Sequence, residues 1–135
     1  GFIANRLVTE SGISKVFNGS IISYANEIKH RELGVPNEIC STVGAVSEEC
    51  ARYMCEAARK KFNADIAVST TGIAGPGGAT DEKPVGLIYI GIATAKDSRV
   101  KKYHLFGTRE QFMQRAANCA MMLVKDTLLQ EFGVH

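Results

Sequence analysis

The sequence predicts an α/β fold, a three-layer α/β/α single domain with a mixed β-sheet. Three observations support this class. Short apolar runs alternate with amphipathic helical patterns along the chain, as they do in layered α/β domains. The 135 residues suffice for one domain, because domains usually contain ~100–200 residues. Hydrophobic residues make up 45% of the chain and charged residues 22%, which is typical of a globular protein and argues against disorder.

The first third of the chain predicts a helix, a strand and a second helix. Apolar residues at helical spacing, followed by Gly12, indicate the last turns of a helix. Residues 17–24 are rich in β-branched and aromatic side chains, which favour a strand. Asn26 can cap a helix over residues 26–33, and Gly34 ends it, because glycine readily adopts the left-handed conformation of a helix C-terminus.

The middle of the chain predicts a long helix and a buried strand. Residues 35–37 restart the chain in a short helical turn. Ser47 then caps a longer helix, whose apolar stripe continues to Phe62. Residues 65–70 form a short apolar run and predict a strand, which leads into a glycine-rich loop over residues 71–84.

The last third of the chain predicts a hairpin and a helix. Residues 85–95 are almost entirely apolar, as expected of a strand that is covered on both faces. Residues 96–98 make a tight connection, and the alternating pattern of residues 99–106 predicts the hairpin partner. Thr108 and Gln111 predict a capping box at the start of the last helix.

The charge balance excludes two classes of partner. Lys plus Arg is 16 and Asp plus Glu is 14, so the net charge is +2. This balance is too even to hold nucleic acid or an anionic membrane surface by electrostatic attraction. The longest apolar runs are about five residues, whereas a membrane-spanning helix requires ~20. We therefore expect no membrane association, and the sequence disfavours nucleic acid as a partner.

Cysteines and histidines give no sign of a metal centre. The chain contains Cys40, Cys50, Cys55, Cys119, His30, His104 and His135. No C-x-x-C pair occurs, and no histidine lies at a zinc-ligand spacing from a cysteine or from another histidine. We expect no metal and no cofactor, and we expect reduced, buried thiols in a cytoplasmic protein.

The glycine-rich loop, residues 71–84, is the most unusual segment. It contains four glycines and two prolines, together with the hydroxyl of Thr71 and the charge of Lys83. Glycines let backbone N–H groups converge on an anion, and ligands collect at the carboxyl ends of strands in α/β folds. No Lys-Ser/Thr pair follows Gly77, which excludes a Walker A loop. The alternative is a plain turn without a ligand.

A second candidate site lies at the corner between the first strand and the helix after it. Tyr24 ends the predicted strand and Lys29 lies one turn into the helix, so both side chains can project into one crevice. Lysine serves as a general base only if burial or a second cation disfavours its charged form. The alternative is a solvated lysine beside a core tyrosine. Arg109, at the start of the last helix, is either a solvated charge or a clamp on a ligand phosphate.

Four blocks of the sequence resemble the CinA C-terminal domain family. They are Tyr24-Ala25-Asn26-Glu27-Ile28-Lys29, Gly44-Ala45-Val46-Ser47, Thr71-Gly72-Ile73-Ala74-Gly75-Pro76 with Gly77-Gly78, and Lys83-Pro84-Val85-Gly86. The blocks occur in the family's order and at its spacing, and the resemblance covers essentially the whole chain, residues 1–135. The block in the glycine-rich loop is the longest and the most specific.

The resemblance implies an activity and a set of site residues. The family is bacterial and is similar to nicotinamide-nucleotide amidase, which hydrolyses nicotinamide mononucleotide to nicotinate mononucleotide and ammonia. It implies a serine nucleophile with Lys29 as base and Tyr24 as proton relay or orienting group, and it requires no metal. The substrate contacts that it implies are Asn26, Thr71, Gly72, Gly75, Gly77, Gly78, Lys83 and Arg109. The partner is then a small-molecule nucleotide, and a homo-oligomer is compatible with the sequence.

The family's serine is the main point at which this sequence departs from the pattern. In the family the serine lies in an Ala-Glu-Ser-Cys-Thr-Gly-Gly motif, and Gly1 resembles the last glycine of that motif. We therefore expect the serine, with the strand and the helix start that carry it, to lie upstream of Gly1, and this chain alone to be catalytically incomplete. The alternative is a non-catalytic domain that binds a nucleotide or serves oligomerisation.

Overall fold

The computed structural model describes residues 1–134, which form five α-helices, one short 3₁₀ helix and three strands. The helices are α1 (Phe2–Val8), α2 (Asn26–Leu33), α3 (Asn37–Ser41), α4 (Glu48–Phe62) and α5 (Arg109–Glu131), and the 3₁₀ helix spans Ile13–Lys15. The strands are β1 (Ala67–Gly72), β2 (Leu87–Ala93) and β3 (Ser98–His104). No helix within residues 1–134 is both long enough and apolar enough to cross a membrane.

The three strands form one antiparallel sheet in the order β1-β2-β3. Thr70 of β1 lies opposite Ile90 of β2, which in turn lies opposite Lys101 of β3. The predicted α/β class is confirmed. The predicted mixture of parallel and antiparallel strands is wrong for the described residues, because β2 follows the glycine-rich loop and β3 follows a tight turn, and both connections reverse the chain.

Helices cover both faces of the sheet, so the predicted three layers are present. Side chains of Ile88, Ile90 and Ile92 point towards α5 and pack with Phe112, Ala116, Ala120 and Leu123. On the opposite face α4 approaches so closely that a Cβ on Gly91 would lie 2.6 Å from the carbonyl oxygen of Ala51. The small glycine therefore lets the backbone of α4 lie directly on the sheet. Successive residues of β2 face opposite sides, so the isoleucines contact α5 and Gly91 contacts α4.

Residues 17–24 are the element that the sequence predicts incorrectly. They have no regular secondary structure, and although their exposure alternates along the chain, they pair with no strand among residues 1–134. Alternation is a local property, whereas strand pairing needs a partner that one segment of sequence does not specify. The first strand of the sheet is therefore β1, which also runs two residues into the predicted glycine-rich loop and ends at Gly72.

Three local capping signals act as predicted, but the predicted cap of α2 is wrong: Ala25 is the N-cap, and Asn26 is the first helical residue and makes no side-chain cap hydrogen bond. The Ser47 hydroxyl accepts a hydrogen bond from the Cys50 amide at 3.2 Å, which fixes the start of α4. Thr108 and Gln111 form the reciprocal capping box that starts α5. Gly34, with a φ of 66°, ends α2 after Leu33. These caps set which residues begin the helices that border the site.

Candidate active site

A cleft of about 540 Å³ lies where the ends of several elements meet. Its walls are residues 1–4, residues 20–26, the end of β1, the glycine-rich loop and the start of α5. Nine of the ten residues that the sequence predicts for the site line this cleft: Tyr24, Asn26, Lys29, Thr71, Gly72, Gly75, Gly77, Gly78 and Arg109. The fold therefore brings two candidate sites that are separate in the sequence into one cavity.

Lys29 lies in the first turn of α2, with its side chain folded back over the residues that precede the helix. The residue is only 7% exposed. Its Nζ donates to the carbonyl oxygens of Ser23, at 2.8 Å, and Tyr24, at 3.1 Å. No carboxylate within residues 1–134 forms an ion pair with it. Two backbone carbonyls thus hold the amino group at the cleft. Among residues 1–134 it makes no other hydrogen bond, so one position on the nitrogen stays open.

Tyr24 and the glycine-rich loop are joined by one side chain, Arg109. The Tyr24 ring is 81% exposed, so it is a rim residue and not a core residue. Arg109 donates from Nη2 to the Tyr24 hydroxyl at 3.1 Å and from Nη1 to the Gly75 carbonyl at 2.9 Å. The guanidinium therefore lies between the two walls of the cleft, at the first residue of α5.

The glycine-rich loop starts from a closed base and extends into solvent. The Ile73 amide donates to the Leu87 carbonyl at 2.9 Å and the Gly86 amide donates to the Ile73 carbonyl at 2.8 Å, and these two hydrogen bonds close the base. A Cβ on Gly75 would lie 2.5 Å from Val85, and the φ of Gly75 is +77°, so glycine is required there on both counts. Beyond it the chain is exposed through residues 76–82, with Gly77 and Gly78 facing the cleft.

Two of the predicted ligand contacts are already engaged by the protein. Thr71 is 7% exposed, and its hydroxyl donates to the carbonyl of Ala45 at 2.7 Å. Lys83 does not line the cleft; its Nζ donates to the carbonyls of Val43 and Val46, the latter at 2.8 Å. Lys83 was predicted to contact substrate, and in the structure its amino group is directed at a neighbouring turn instead of the cleft.

The sequence did not reveal the apolar floor of the cleft. Ile88 and Phe112 line it from the sheet and from α5, and Ala45 and Val46 line it from the turn before α4. The pattern of α5 predicts Phe112 only as a core residue, and it is indeed 5% exposed. The sequence pattern of a core side chain is the same whether or not that side chain also borders a cavity. For Ala45 and Val46 the Gly-Ala-Val-Ser block was the available signal.

Thiols and metal ligands contribute no other centre to the described part of the chain. No group of three or more His, Cys, Asp or Glu residues could hold a metal ion within residues 1–134, and His135 lies outside the described residues. All four cysteines are free, but only two are fully buried. Burial raises the pKa of Cys50 to about 11 and that of Cys55 to about 11, so both thiols are protonated at neutral pH and are poor nucleophiles.

The fold and the cleft define a three-layer α/β domain with a lysine-containing pocket, and the comparisons with known proteins identify its family. The CinA C-terminal domain model matches residues 1–128. The chain belongs to the CinA C-terminal domain family.

Relatives of known sequence cover the same region. The CinA-like protein of Dictyoglomus turgidum is 50% identical over 111 residues, which are 82% of this chain and 27% of that protein. The CinA-like protein of Kosmotoga olearia is 46% identical over 129 residues, which are 96% of this chain and 31% of that protein. The chain thus spans less than a third of the length of these relatives.

Two solved structures have the same fold. The competence/damage inducible protein CihA from Agrobacterium tumefaciens has a TM-score of 0.85 and 34% identity, with 93% of this chain and 78% of that chain covered. The competence damage-inducible protein A (ComA) from Klebsiella pneumoniae has a TM-score of 0.91 at 24% identity, covering 96% of this chain and 80% of that chain. The second comparison supports the fold alone.

Proposed function

We propose that this domain provides the base and the binding cleft of an amidohydrolase that converts nicotinamide mononucleotide and water into nicotinate mononucleotide and ammonia. The observation that carries the proposal is the position of Lys29. Its amino group is buried, is oriented by two carbonyls and lines the same cleft as the glycine-rich loop. A buried, oriented amine at a glycine-lined cavity fits the base of a Ser/Lys amidase.

The proposed reaction needs one proton to move from the nucleophile to the leaving nitrogen. A serine Oγ attacks the carboxamide carbon, and Lys29, acting as the base, takes the hydroxyl proton. The proton passes to the leaving nitrogen, with Tyr24 as relay, and ammonia departs. Water then hydrolyses the acyl-enzyme to nicotinate mononucleotide and regenerates the serine.

The hydrogen bonds of Lys29 suit this proton transfer. A neutral amine has two N–H donors and one lone pair. The carbonyls of Ser23 and Tyr24 accept two N–H donors and leave the lone pair for an incoming hydroxyl. Residues 1–4 line the cleft as well, so a serine joined closely to Gly1 would lie within reach of Lys29.

The remaining walls of the cleft suit the two ends of the nucleotide. Phe112 and Ile88 give the floor an apolar surface on which a pyridine ring can rest. Gly77 and Gly78 present backbone without side chains, and Arg109 supplies a guanidinium at the rim, so a phosphate at this end meets both N–H donors and a positive charge. Asn26 adds an amide at the corner.

One observation favours a second candidate, a non-catalytic domain that binds the nucleotide or serves oligomerisation. Within residues 1–134 the hydrogen bonds of the Lys29 amino group go to backbone carbonyls and none goes to a serine hydroxyl. Ser20 and Ser23 line the cleft, but neither matches the family's nucleophile. Binding without hydrolysis is the outcome that this second candidate predicts.

The test is ammonia release by the protein expressed from its complete gene. We expect equimolar ammonia and nicotinate mononucleotide from nicotinamide mononucleotide, and much slower release from nicotinamide riboside, which lacks the phosphate. Calorimetric binding of nicotinamide mononucleotide is measured in parallel. Tight binding without ammonia would favour the non-catalytic domain, and absence of both would refute the assignment of a pyridine nucleotide to this cleft.

A further inference from the structure

The short turn before α4, residues 43–46, is held in an unusual way. The carbonyl of every residue in it accepts a hydrogen bond from a side chain. The donors are Lys83 Nζ for Val43 and Val46, Ser47 Oγ for Gly44 and Thr71 Oγ1 for Ala45. Four carbonyls in a row without regular secondary structure would otherwise need water, so these side chains replace the backbone ladder that a helix or strand provides.

Lys83 is the donor that reaches this turn from the glycine-rich loop. Beyond the end of β1 at Gly72, two side chains hydrogen-bond the described loop to the rest of the protein: Arg109 donates to Gly75 on the incoming limb, and Lys83 donates to the 43–46 turn on the outgoing limb. Between them, residues 76–82 are exposed. The amide of Lys83 also bonds to the Thr80 hydroxyl at 3.0 Å, which fixes the chain next to the lysine.

Gly44 makes room for the ammonium. A Cβ at this position would lie 2.9 Å from Lys83 Nζ, and the φ of Gly44 is +86°, a value that glycine adopts without strain. The glycine of the Gly-Ala-Val-Ser block and the lysine of the Lys-Pro-Val-Gly block therefore lie against each other, although they are 39 positions apart in the sequence.

We infer that Lys83 is a positioning residue, a latch that fastens the outgoing limb of the glycine-rich loop to the 43–46 turn. Ala45 and Val46 line the cleft from one side, and Gly77 and Gly78 line it from the other. The latch sets the spacing between these two parts of the wall. Lys83 itself touches no ligand and takes no part in proton transfer.

The latch has a structural consequence that does not depend on the proposed function and a kinetic consequence that does. Without Lys83 the exposed limb loses its contact with the 43–46 turn, so its amides exchange with solvent more easily. If the cleft binds nicotinamide mononucleotide, a looser loop raises KM. It leaves kcat unchanged, because Lys29 is held by Ser23 and Tyr24 and not by the loop.

The variants are Lys83→Met, which removes the donors, and Lys83→Arg, which keeps a cation that can reach two carbonyls. Lys96→Met is the matched control, because Lys96 is an exposed lysine in the β2–β3 turn and does not line the cleft. Lys83→Gln, which retains an amide donor, replaces Lys83→Met if the latter does not fold. Hydrogen exchange of residues 77–83 and steady-state kinetics are measured on the protein expressed from its complete gene.

We expect Lys83→Met to speed exchange across residues 77–83 and to raise KM about tenfold with kcat within about twofold, as the loss of a charge-assisted contact predicts. Lys83→Arg should restore most of both, and Lys96→Met should change neither. Unchanged exchange in Lys83→Met would refute the latch whether or not the protein is an amidase. A fall in kcat at unchanged KM would place Lys83 in the chemistry instead and overturn its positioning role.

Discussion

Two lysines of this domain make the same kind of contact with very different surroundings. Lys29 donates to the carbonyls of Ser23 and Tyr24, and Lys83 donates to those of Val43 and Val46. Lys29 lines the cleft, whereas Lys83 lies behind its wall. A lysine amino group bound to two carbonyls is therefore not by itself a mark of catalysis, and access to the cavity distinguishes the two lysines.

The origin of the acceptors also differs between the two lysines. The carbonyls that hold Lys29 are five and six residues away, so the chain segment just before α2 creates the arrangement. The carbonyls that hold Lys83 are 37 and 40 residues away, so its arrangement depends on how the loop packs against another part of the chain. A local corner is rigid as it stands, while a distant contact can open without unfolding the domain.

The largest effect that we expect is at Lys29. Lys29→Met and Lys29→Arg should both lower kcat by about 10²–10⁴-fold, the range that general-base catalysis contributes. Arginine does not help at this position because it stays protonated in proteins and cannot accept the serine proton. The same substitution at Lys83 should retain activity, which makes arginine tolerance the sharpest distinction between the two lysines. Ammonia release is the measurement.

Folding of the Lys29 variants has to be verified for this comparison. Urea unfolding followed by circular dichroism shows whether each variant retains a cooperative transition. A folded Lys29→Arg protein with more than about a tenth of the original kcat would rule out Lys29 as the base, since general-base catalysis typically contributes at least ~10²-fold.

The second largest effect concerns the turn that Lys83 contacts. Thr71→Val keeps the shape of the side chain but leaves the Ala45 carbonyl without its donor. We expect the free energy of unfolding to fall by about 1–3 kcal/mol, the cost of an unsatisfied buried polar group. Thr9→Val is the control, because Thr9 is exposed and the change there should stay within about 0.5 kcal/mol. Equal unfolding midpoints for the two variants would show that the 43–46 turn does not depend on Thr71.

The same contrast explains which parts of the molecule can be predicted from sequence. The end of α2 follows from Gly34, and the start of α5 follows from Thr108 and Gln111, because a cap acts on residues within one turn of itself. The Tyr24–Lys29 corner is local in the same sense, so the prediction that it borders a cleft agrees with the structure.

Features that depend on distant contacts could not be predicted in this way. Residues 17–24 alternate as a strand does, but their pattern does not say which strand they pair with, and none among residues 1–134 does so. From the sequence alone, Lys83 in a glycine-rich loop can bind either a ligand or a backbone carbonyl of the protein. Only the packing of the loop against Val43 and Val46 decides between them.

The smallest effect that we expect is at Arg109, the side chain that connects the two regions. Arg109→Met removes its hydrogen bonds to Tyr24 and Gly75, but the residue is exposed, so water replaces part of the loss. We expect the affinity for nicotinamide mononucleotide to fall about tenfold or less, which corresponds to ~1.4 kcal/mol. Arg31→Met, at an exposed arginine of α2 that does not line the cleft, is the control.

Combining Arg109→Met with Lys83→Met tests whether the two anchors act on one loop. If the two anchors hold the same loop, the loss of affinity in the double variant should differ from the sum of the losses in the two single variants. Substitutions that act on one shared segment do not have additive effects. If the effects add within about 0.3–0.5 kcal/mol, the two contacts are independent. Additivity would mean that Arg109 holds the incoming limb without help from Lys83, and the latch would then act only on the outgoing limb.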